Sequence, residues 1–236
     1  MSDKILSVFS DKKQEKTMEK VIERTNFQSK KEEKINAATH LLSAALAVLG
    51  TVLLIIKSAD MGALAIVSAA LYGASMIILY SASSAYHLVH NGTRAKVFLQ
   101  KFDHASIFLL ITGTYIPGCW VAMGGAVGWV VFGLVAGCGV VGIVLNCIDV
   151  KKFSKICLVL YIVAGWTIAA ALYPYYKAIG GMGILFLVLG GLLYTGGIFF
   201  YRKKKTPYMH AVWHIFVTLG SIMHYIMVYF YCYSAF

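Results

Sequence analysis

Hydrophobic residues follow one another along this chain in long runs that short polar segments interrupt. We distinguish seven such runs from residue 35 onward. An α-helix needs about 20 residues to cross about 30 Å of hydrocarbon, and most of these runs are that long. The pattern therefore predicts an all-α, polytopic membrane protein with seven transmembrane helices. The predicted spans are residues 35–56, 61–89, 103–123, 126–148, 156–173, 181–201 and 208–234.

The composition divides the chain into two unequal parts. Of the 236 residues, 59% are hydrophobic and only 13% are charged, with a mean hydropathy of +0.74. Residues 1–34 hold nine of the 21 Lys and Arg and seven of the ten Asp and Glu. We therefore predict a polar tail, residues 1–34, and a transmembrane domain, residues 35–236. The tail has no apolar segment of the secretory-signal type, and we expect it to be retained in the cytoplasm.

The distribution of Lys and Arg predicts the orientation in the membrane, because these residues accumulate in cytoplasmic loops. With the tail inside, 19 of the 21 lie on the inner side and only Lys57 and Lys177 on the outer side. We therefore expect a cytoplasmic amino terminus, an outer carboxyl terminus and a location in the plasma membrane. The net charge of +11 then reflects topology and attraction to anionic inner-leaflet lipids. No nucleic-acid partner is expected.

With this orientation, polar side chains from four separate spans come to the same depth, the inner edge of the membrane. Several of them are four residues apart, so each pair lies on one face of its helix. Ionisable residues inside a membrane normally face the bundle interior and mark a functional site. The residues concerned are Asn36, His40, Ser83, His87, Asp103, His210 and His214.

Three of these residues are imidazoles that can form a metal site. His87, His210 and His214 supply three nitrogen ligands and leave one coordination position open, an arrangement that suits zinc best. Iron and manganese also remain compatible with the pattern. The alternatives are imidazoles that bond lipid headgroups and, for Asp103, a helix cap. His224 lies about 21 Å beyond His210 along an ideal helix and cannot join the same site.

The segments that carry these residues resemble a known family. They are Glu-x₃-Asn-x₃-His at Glu32, Asn36 and His40, "SSAYH" at 83–87, "DHASIFLLITGTYIP" at 103–117 and "HAVWH" at 210–214. Together they are similar to the haemolysin III family of the progestin and adiponectin receptor (PAQR) superfamily, to which the alkaline ceramidases are related. The similarity extends over almost the whole chain after residue 31.

The resemblance implies a seven-helix fold with the amino terminus inside and a Zn²⁺ ion near the inner leaflet. It implies that His87, His210 and His214 hold this zinc. Asp103 would then hold the zinc's water and act as general base, and Ser83 would be a polar partner of the site. We expect Glu32, Asn36 and His40 to lie behind the ligands or to gate the site. With so short a tail, no protein hormone is expected to bind.

Three functions of different classes remain open. The first is a zinc-dependent hydrolase that cleaves lipid amides or esters, because three histidines leave room for an activated water. The second is a non-catalytic regulator or receptor-like protein in which zinc is structural and Asp103 is a direct ligand. The third is a haemolysin-type pore-former or channel. Membrane lipids are the expected partners in each case, and the pattern does not predict an oligomeric state.

Overall fold

The computed structural model describes residues 28–203 and 205–234, and within these ranges the chain is helical apart from short connections. Most of the predicted tail, residues 1–27, lies outside the described residues. The α-helices of the described part are α1 (Lys30–Ser58), α2 (Ala63–Leu88), α3 (Arg94–Ile116), α4 (Gly125–Asp149), α5 (Ser154–Trp166), α6 (Leu172–Tyr201) and α7 (Met209–Met227).

Six continuous helical stretches of the described residues are long and apolar enough to cross a membrane. This result confirms an all-α, integral, multi-pass membrane protein. The fifth and sixth predicted spans both fall within one stretch of 48 residues. The six stretches are Lys30–Met61, Ala63–Leu88, Arg94–Met123, Gly125–Asp149, Ser154–Tyr201 and Met209–Cys232.

The 48-residue stretch is not one regular helix. A 3₁₀ segment, Thr167–Ala171, separates α5 from α6. Within α6, Gly180 has a φ of +69° and a ψ of 177°, which breaks the helical geometry. A residue with a side chain rarely adopts this left-handed conformation, whereas glycine does so at little cost. Between the two predicted spans, at residues 174–180, the helical geometry is therefore interrupted only at Gly180.

Capping groups explain why two of the helices, α1 and α3, begin earlier than the hydrophobic pattern predicts. α1 begins at Lys30, inside the predicted tail, because Ser29 and Glu32 form a reciprocal capping box. α3 begins at Arg94 and not at residue 103, because the Thr93 hydroxyl accepts the Lys96 amide at 3.1 Å. The two corrections have one physical cause: capping groups set where a helix begins, while hydrophobicity reports only which part is apolar.

The helices pack side by side, with α1 between α2 and α7, α3 between α2 and α4, and α5 beside α4. α6 packs mainly against α7. Many large apolar side chains on the outside are exposed, as expected for a surface that faces lipid tails; examples are Leu42, Val130, Leu134, Leu192 and Phe230. Buried polar side chains concentrate where α1 begins, α2 ends, and α3 and α7 begin. These four helix ends form the candidate site.

A test of the packing between α3 and α4 uses two glycines of α4. A methyl group added at Gly142 would overlap the ring of Phe108, which is fully buried. We expect Gly142→Ala to lower the free energy of unfolding by about 1–3 kcal/mol, the usual cost of overpacking. Gly137→Ala is the control, since no atom lies within 4 Å of the added group. Unfolding of the purified protein in mixed micelles measures both changes, and equal stability of the two variants would contradict the packing.

Candidate metal centre and cavity

The structure brings together three histidines that are far apart in sequence. His87 lies at the end of α2, and His210 and His214 lie in the first turns of α7. One ring nitrogen of each residue lies within 4.8 Å of those of the other two. Zinc–nitrogen bonds are about 2.0–2.1 Å long, so small side-chain adjustments bring all three nitrogens to a common ion. The group can therefore hold a metal ion.

The hydrogen bonds of His87 prepare it for this role. Its Nδ1 lies 2.6 Å from Oε2 of Glu33. A carboxylate can only accept, so Nδ1–H donates and, in the neutral ring, Nε2 carries the lone pair. Nε2 is buried and has no hydrogen-bond partner among the described residues. A buried acceptor without a donor is costly, and a cation at the centre of the three histidines would satisfy it.

His214 is held in the same way by the backbone of α1. Its Nδ1 lies 3.2 Å from the carbonyl oxygen of Asn36 and 3.0 Å from the hydroxyl of Thr39. The carbonyl can only accept, so Nδ1–H donates to it and Nε2 is left as the ligand atom. The Asn36 side chain turns away and donates to Gln28 at 2.6 Å. Asn36 therefore contacts a predicted ligand through its backbone.

His40 packs directly on the candidate centre without joining it. Its ring is stacked on the ring of His214 with 3.6 Å between centroids, and it meets the ring of Tyr80 in a T-shaped contact with 5.1 Å between centroids. His40 is not among the three residues whose ligand atoms come together. Both of its ring nitrogens are buried without hydrogen-bond partners in the described part of the chain. The structure thus places His40 against His214 and outside the group of three ligand residues.

Two neighbouring glutamates at the start of α1 make different contacts. Glu32 accepts from the amide groups of Ser29 and Tyr208, each at 2.9 Å, and so joins the start of α1 to the start of α7. Tyr208 has a left-handed φ of 62°, and this contact helps to hold it. Glu33, not Glu32, contacts His87. Glu33 also forms an ion pair with Lys96 at 3.0 Å.

Sequence reasoning missed both Glu33 and Lys96. Glu33 precedes His40 by seven residues, which is close to two helical turns, so helical periodicity puts the two on one face. Glu32 precedes His40 by eight residues and lies about 80° from it around the helix axis, against about 20° for Glu33. Counting helical turns back from His40 would therefore have identified Glu33. Nothing in the local pattern singles out Lys96, which reads as one more positive charge beside a membrane span.

Asp103 and Ser83 lie on the wall of a cavity that two of the three histidines also line. The cavity has a volume of about 120 Å³, and His40, His210 and His214 also line it. The Asp103 carboxylate is not part of the group of mutually close ligand atoms. Its Oδ2 lies 3.6 Å from Nδ1 of His104. The Asp103 carboxylate lies on the cavity wall but outside the group of histidine ligands. It can therefore act on a molecule that is bound in the cavity between Asp103 and the histidines.

Beyond these polar groups the cavity runs into the membrane-spanning part of the bundle. His224, at its far end, lies within hydrogen-bond distance of the Leu187 carbonyl, 3.1 Å from Nε2. It lies apart from the three histidines, as the helical rise predicts. The wall between the two ends is mostly apolar and includes Leu79, Ile107, Leu110, Leu158, Ile198 and Val217.

The fold and the site together define a class: a multi-pass α-helical membrane protein with three histidines that can hold a metal ion at one end of the bundle. A sequence profile described as "Haemolysin-III related" matches residues 28–225. The chain belongs to the haemolysin III-related family, which confirms the resemblance seen in the motifs.

Individual relatives agree with this assignment. The chain is 37% identical over 202 residues to "Hemolysin-3" of Bacillus cereus, a match that covers 85% of this chain and 92% of that protein. It is 38% identical to "Hemolysin-3 homolog" of Bacillus subtilis (strain 168), over 86% of this chain and 95% of the relative. It is also 25% identical to human "Monocyte to macrophage differentiation factor", over 85% and 84% of the two chains. The similarity therefore extends over nearly the full length of each relative.

Proposed function

We propose that this protein is a zinc-dependent hydrolase of lipid amides or esters that works at the inner leaflet of the plasma membrane. The observation that carries the proposal is the joint geometry of the site. Three histidines can hold a metal ion, and two of them, His210 and His214, line a cavity whose wall also carries Asp103 and is mostly apolar further on. Membrane lipids are then the substrates, and neither nucleic acid nor a protein hormone is a partner.

The proposal includes seven membrane spans with the amino terminus inside. The 48-residue stretch Ser154–Tyr201 would be about 72 Å long as a straight helix, more than twice the thickness of the hydrocarbon core. From Ser154 to Ala171, α5 and the 3₁₀ segment together span about 30 Å, enough for one crossing. The residues after the break at Gly180, up to Tyr201, are also long enough to cross the hydrocarbon core once and form the next span.

The orientation can be measured with reporter fusions. The 19-to-2 distribution of Lys and Arg leads us to expect the amino terminus and the loop at 201–207 inside and Phe236 outside. A periplasm-active phosphatase fused after Phe236 should be active in a bacterial host, and the same reporter fused after Arg202 should be inactive. The reverse pattern would place the three histidines at the outer leaflet and contradict the proposal.

Zinc held by three histidines supplies an electrophile and a water nucleophile that is active at neutral pH. The remaining steps belong to this chain's own residues. His87 and His214 present their Nε2 atoms because Glu33 and the Asn36 carbonyl hold their Nδ1 atoms. Asp103 takes a proton from the attacking water and later returns it to the leaving amine or alcohol. Ser83, on the same wall, donates a hydrogen bond to the substrate carbonyl.

The cavity suits the rest of a lipid substrate. A carbonyl linked to a headgroup lies at the membrane interface, the depth at which we place the histidines. The attached acyl chain would then extend along the apolar wall toward His224, about 15–21 Å from the two histidines of α7 along the helix. Burial of the chain among apolar residues favours binding by about 25 cal/mol per Å² of apolar surface removed from water.

The experiment is an assay of fatty-acid release by the purified protein in lipid nanodiscs. Amide-linked and ester-linked lipids are offered separately, with the variant His210→Ala/His214→Ala as the blank. Release above the blank from at least one lipid class, abolished by a zinc chelator and restored by added zinc, is the expected result. Equal release by wild type and blank from both classes would contradict the hydrolase function.

The names of the two Bacillus relatives, a hemolysin and a hemolysin homologue, favour membrane lysis as a second candidate function. A pore-former should release a small dye from sealed liposomes whether or not the histidines are intact. We expect the wild-type protein and the blank variant both to release no more dye than protein-free liposomes do. Zinc-independent leakage that grows with protein concentration would instead favour the lytic function.

A further inference from the structure

A buried ion pair lies beside the candidate metal centre, and one of its members, Lys96, has no part in the chemistry described so far. Lys96 is fully buried and Glu33 is only 9% exposed. Burial of two charges costs more in desolvation than their attraction commonly returns, so such a pair adds little to stability by itself. Lys96 is also the third residue of α3, where the helix dipole disfavours a cation. The position of Lys96 therefore calls for an explanation other than stability.

The contacts of the pair converge on His87. Glu33 uses one carboxylate oxygen for His87 Nδ1, at 2.6 Å, and the other for Lys96 Nζ, at 3.0 Å. Lys96 Nζ also donates to the carbonyl oxygen of Tyr86 at 2.7 Å and lies 4.2 Å above the Tyr86 ring. Lys96 thus contacts two groups. One is the carboxylate that orients the His87 ring, and the other is the backbone carbonyl of the residue before His87. Three helices, α1, α2 and α3, meet in this one set of contacts.

We propose that Glu33 and Lys96 act as one positioning unit that fixes the tautomer and orientation of His87 for metal binding. The inference rests on the metal site of the proposed function but not on its hydrolase activity. Glu33 requires a hydrogen on Nδ1 and so keeps the Nε2 lone pair toward the centre. Lys96 balances the carboxylate charge and keeps its second oxygen from turning toward other donors. Partners of this kind commonly change metal affinity about 10–100-fold when removed.

The test measures metal affinity in the full-length purified protein, by competition with a chromophoric chelator. Glu33→Gln should weaken zinc binding about 10–100-fold. Lys96→Met should weaken it by a smaller factor, because Glu33 still reaches His87. In the Glu33→Gln background, Lys96→Met should have no further effect, since Lys96 acts through Glu33. Lys96→Arg keeps the charge and should restore most of the affinity.

The matched control is Glu32→Gln. It removes the same charge one residue away, and the amide can still accept from Tyr208. We expect it to leave zinc affinity within about threefold of wild type, since outer partners matter only where they contact a ligand. The visible spectrum of the cobalt-loaded protein is a second readout that loss of stability alone would not alter. Its band positions should shift in Glu33→Gln and not in Glu32→Gln.

Lys96→Met leaves a buried carboxylate without its cation and can prevent folding. The double variant Glu33→Gln/Lys96→Met removes both charges and provides a folded alternative, checked by its helical circular dichroism. Unchanged zinc affinity and cobalt spectrum in Glu33→Gln and in the double variant would overturn the positioning role while leaving the hydrolase proposal intact. A wild type that binds zinc but releases no fatty acid would overturn the hydrolase alone. A wild type that binds no zinc would overturn both.

Discussion

Replacement of His210 and His214 together by alanine should remove nearly all bound zinc from the purified protein. We expect about one zinc ion per chain in the wild type, and His87 by itself cannot retain it. The change removes two of the three nitrogens that the structure brings within 4.8 Å of one another. Apparent zinc-binding free energies of closed sites are about 10–16 kcal/mol and depend on the full ligand set. Elemental analysis after dialysis against a weak chelator measures the loss.

The matched control for this experiment is His224→Ala. It removes an imidazole from the same helix and from the wall of the same cavity, but at its far end. Zinc content should stay at the wild-type level, although some stability is lost with the contact to Leu187. Full zinc in the His210→Ala/His214→Ala variant would refute the ligand assignment. Equal loss in His224→Ala would indicate that zinc content follows folding and not coordination.

Asp103→Asn should abolish most of the turnover while zinc remains bound. Asparagine keeps the size of the side chain but cannot accept the proton of the attacking water. Loss of a general base typically lowers the rate about 10²–10⁴-fold. Zinc should remain because the Asp103 carboxylate is not among the mutually close ligand atoms. Zinc content and fatty-acid release are measured on the same preparation, so the two effects separate.

Ser83→Ala is the companion variant on the same cavity wall and should cost less than Asp103→Asn, since zinc remains the main electrophile. A loss of zinc in Asp103→Asn, comparable to that in the histidine variants, would make Asp103 a direct ligand. The site would then be closed by four protein ligands, as in structural zinc sites. That outcome would favour a non-catalytic regulator over a hydrolase.

Much of the candidate site could be predicted because it lies at helix ends. Charge counting placed the ends of four predicted spans at one membrane face, and each of those ends carries a polar or ionisable residue. The i, i+4 spacing of His210 and His214 placed both on one face of a helix. Depth and face together bring these residues near His87 without any knowledge of how the helices pack. The structure brings the three rings together, with centroids 4.6–5.2 Å apart.

The two glutamates show where this reasoning fails. Glu32 and Glu33 have the same depth and the same chemistry, so depth cannot distinguish them. They differ by about 100° around the helix axis, and only the packing of α1 against α2 decides which of them faces His87. In the structure Glu33 contacts His87, while Glu32 joins the start of α7 through Tyr208.

The sequence by itself determined the class of protein, the apolar spans and the identity of the clustered histidines, because hydrophobicity and periodicity are local properties of the chain. Only the tertiary structure decided that Lys96 is buried against Glu33 and that the cavity runs from the histidines to His224. A lysine beside a membrane span is normally solvated or bound to lipid headgroups. Its burial depends on a carboxylate and a carbonyl that two other helices supply, and those partners exist only once the helices have packed.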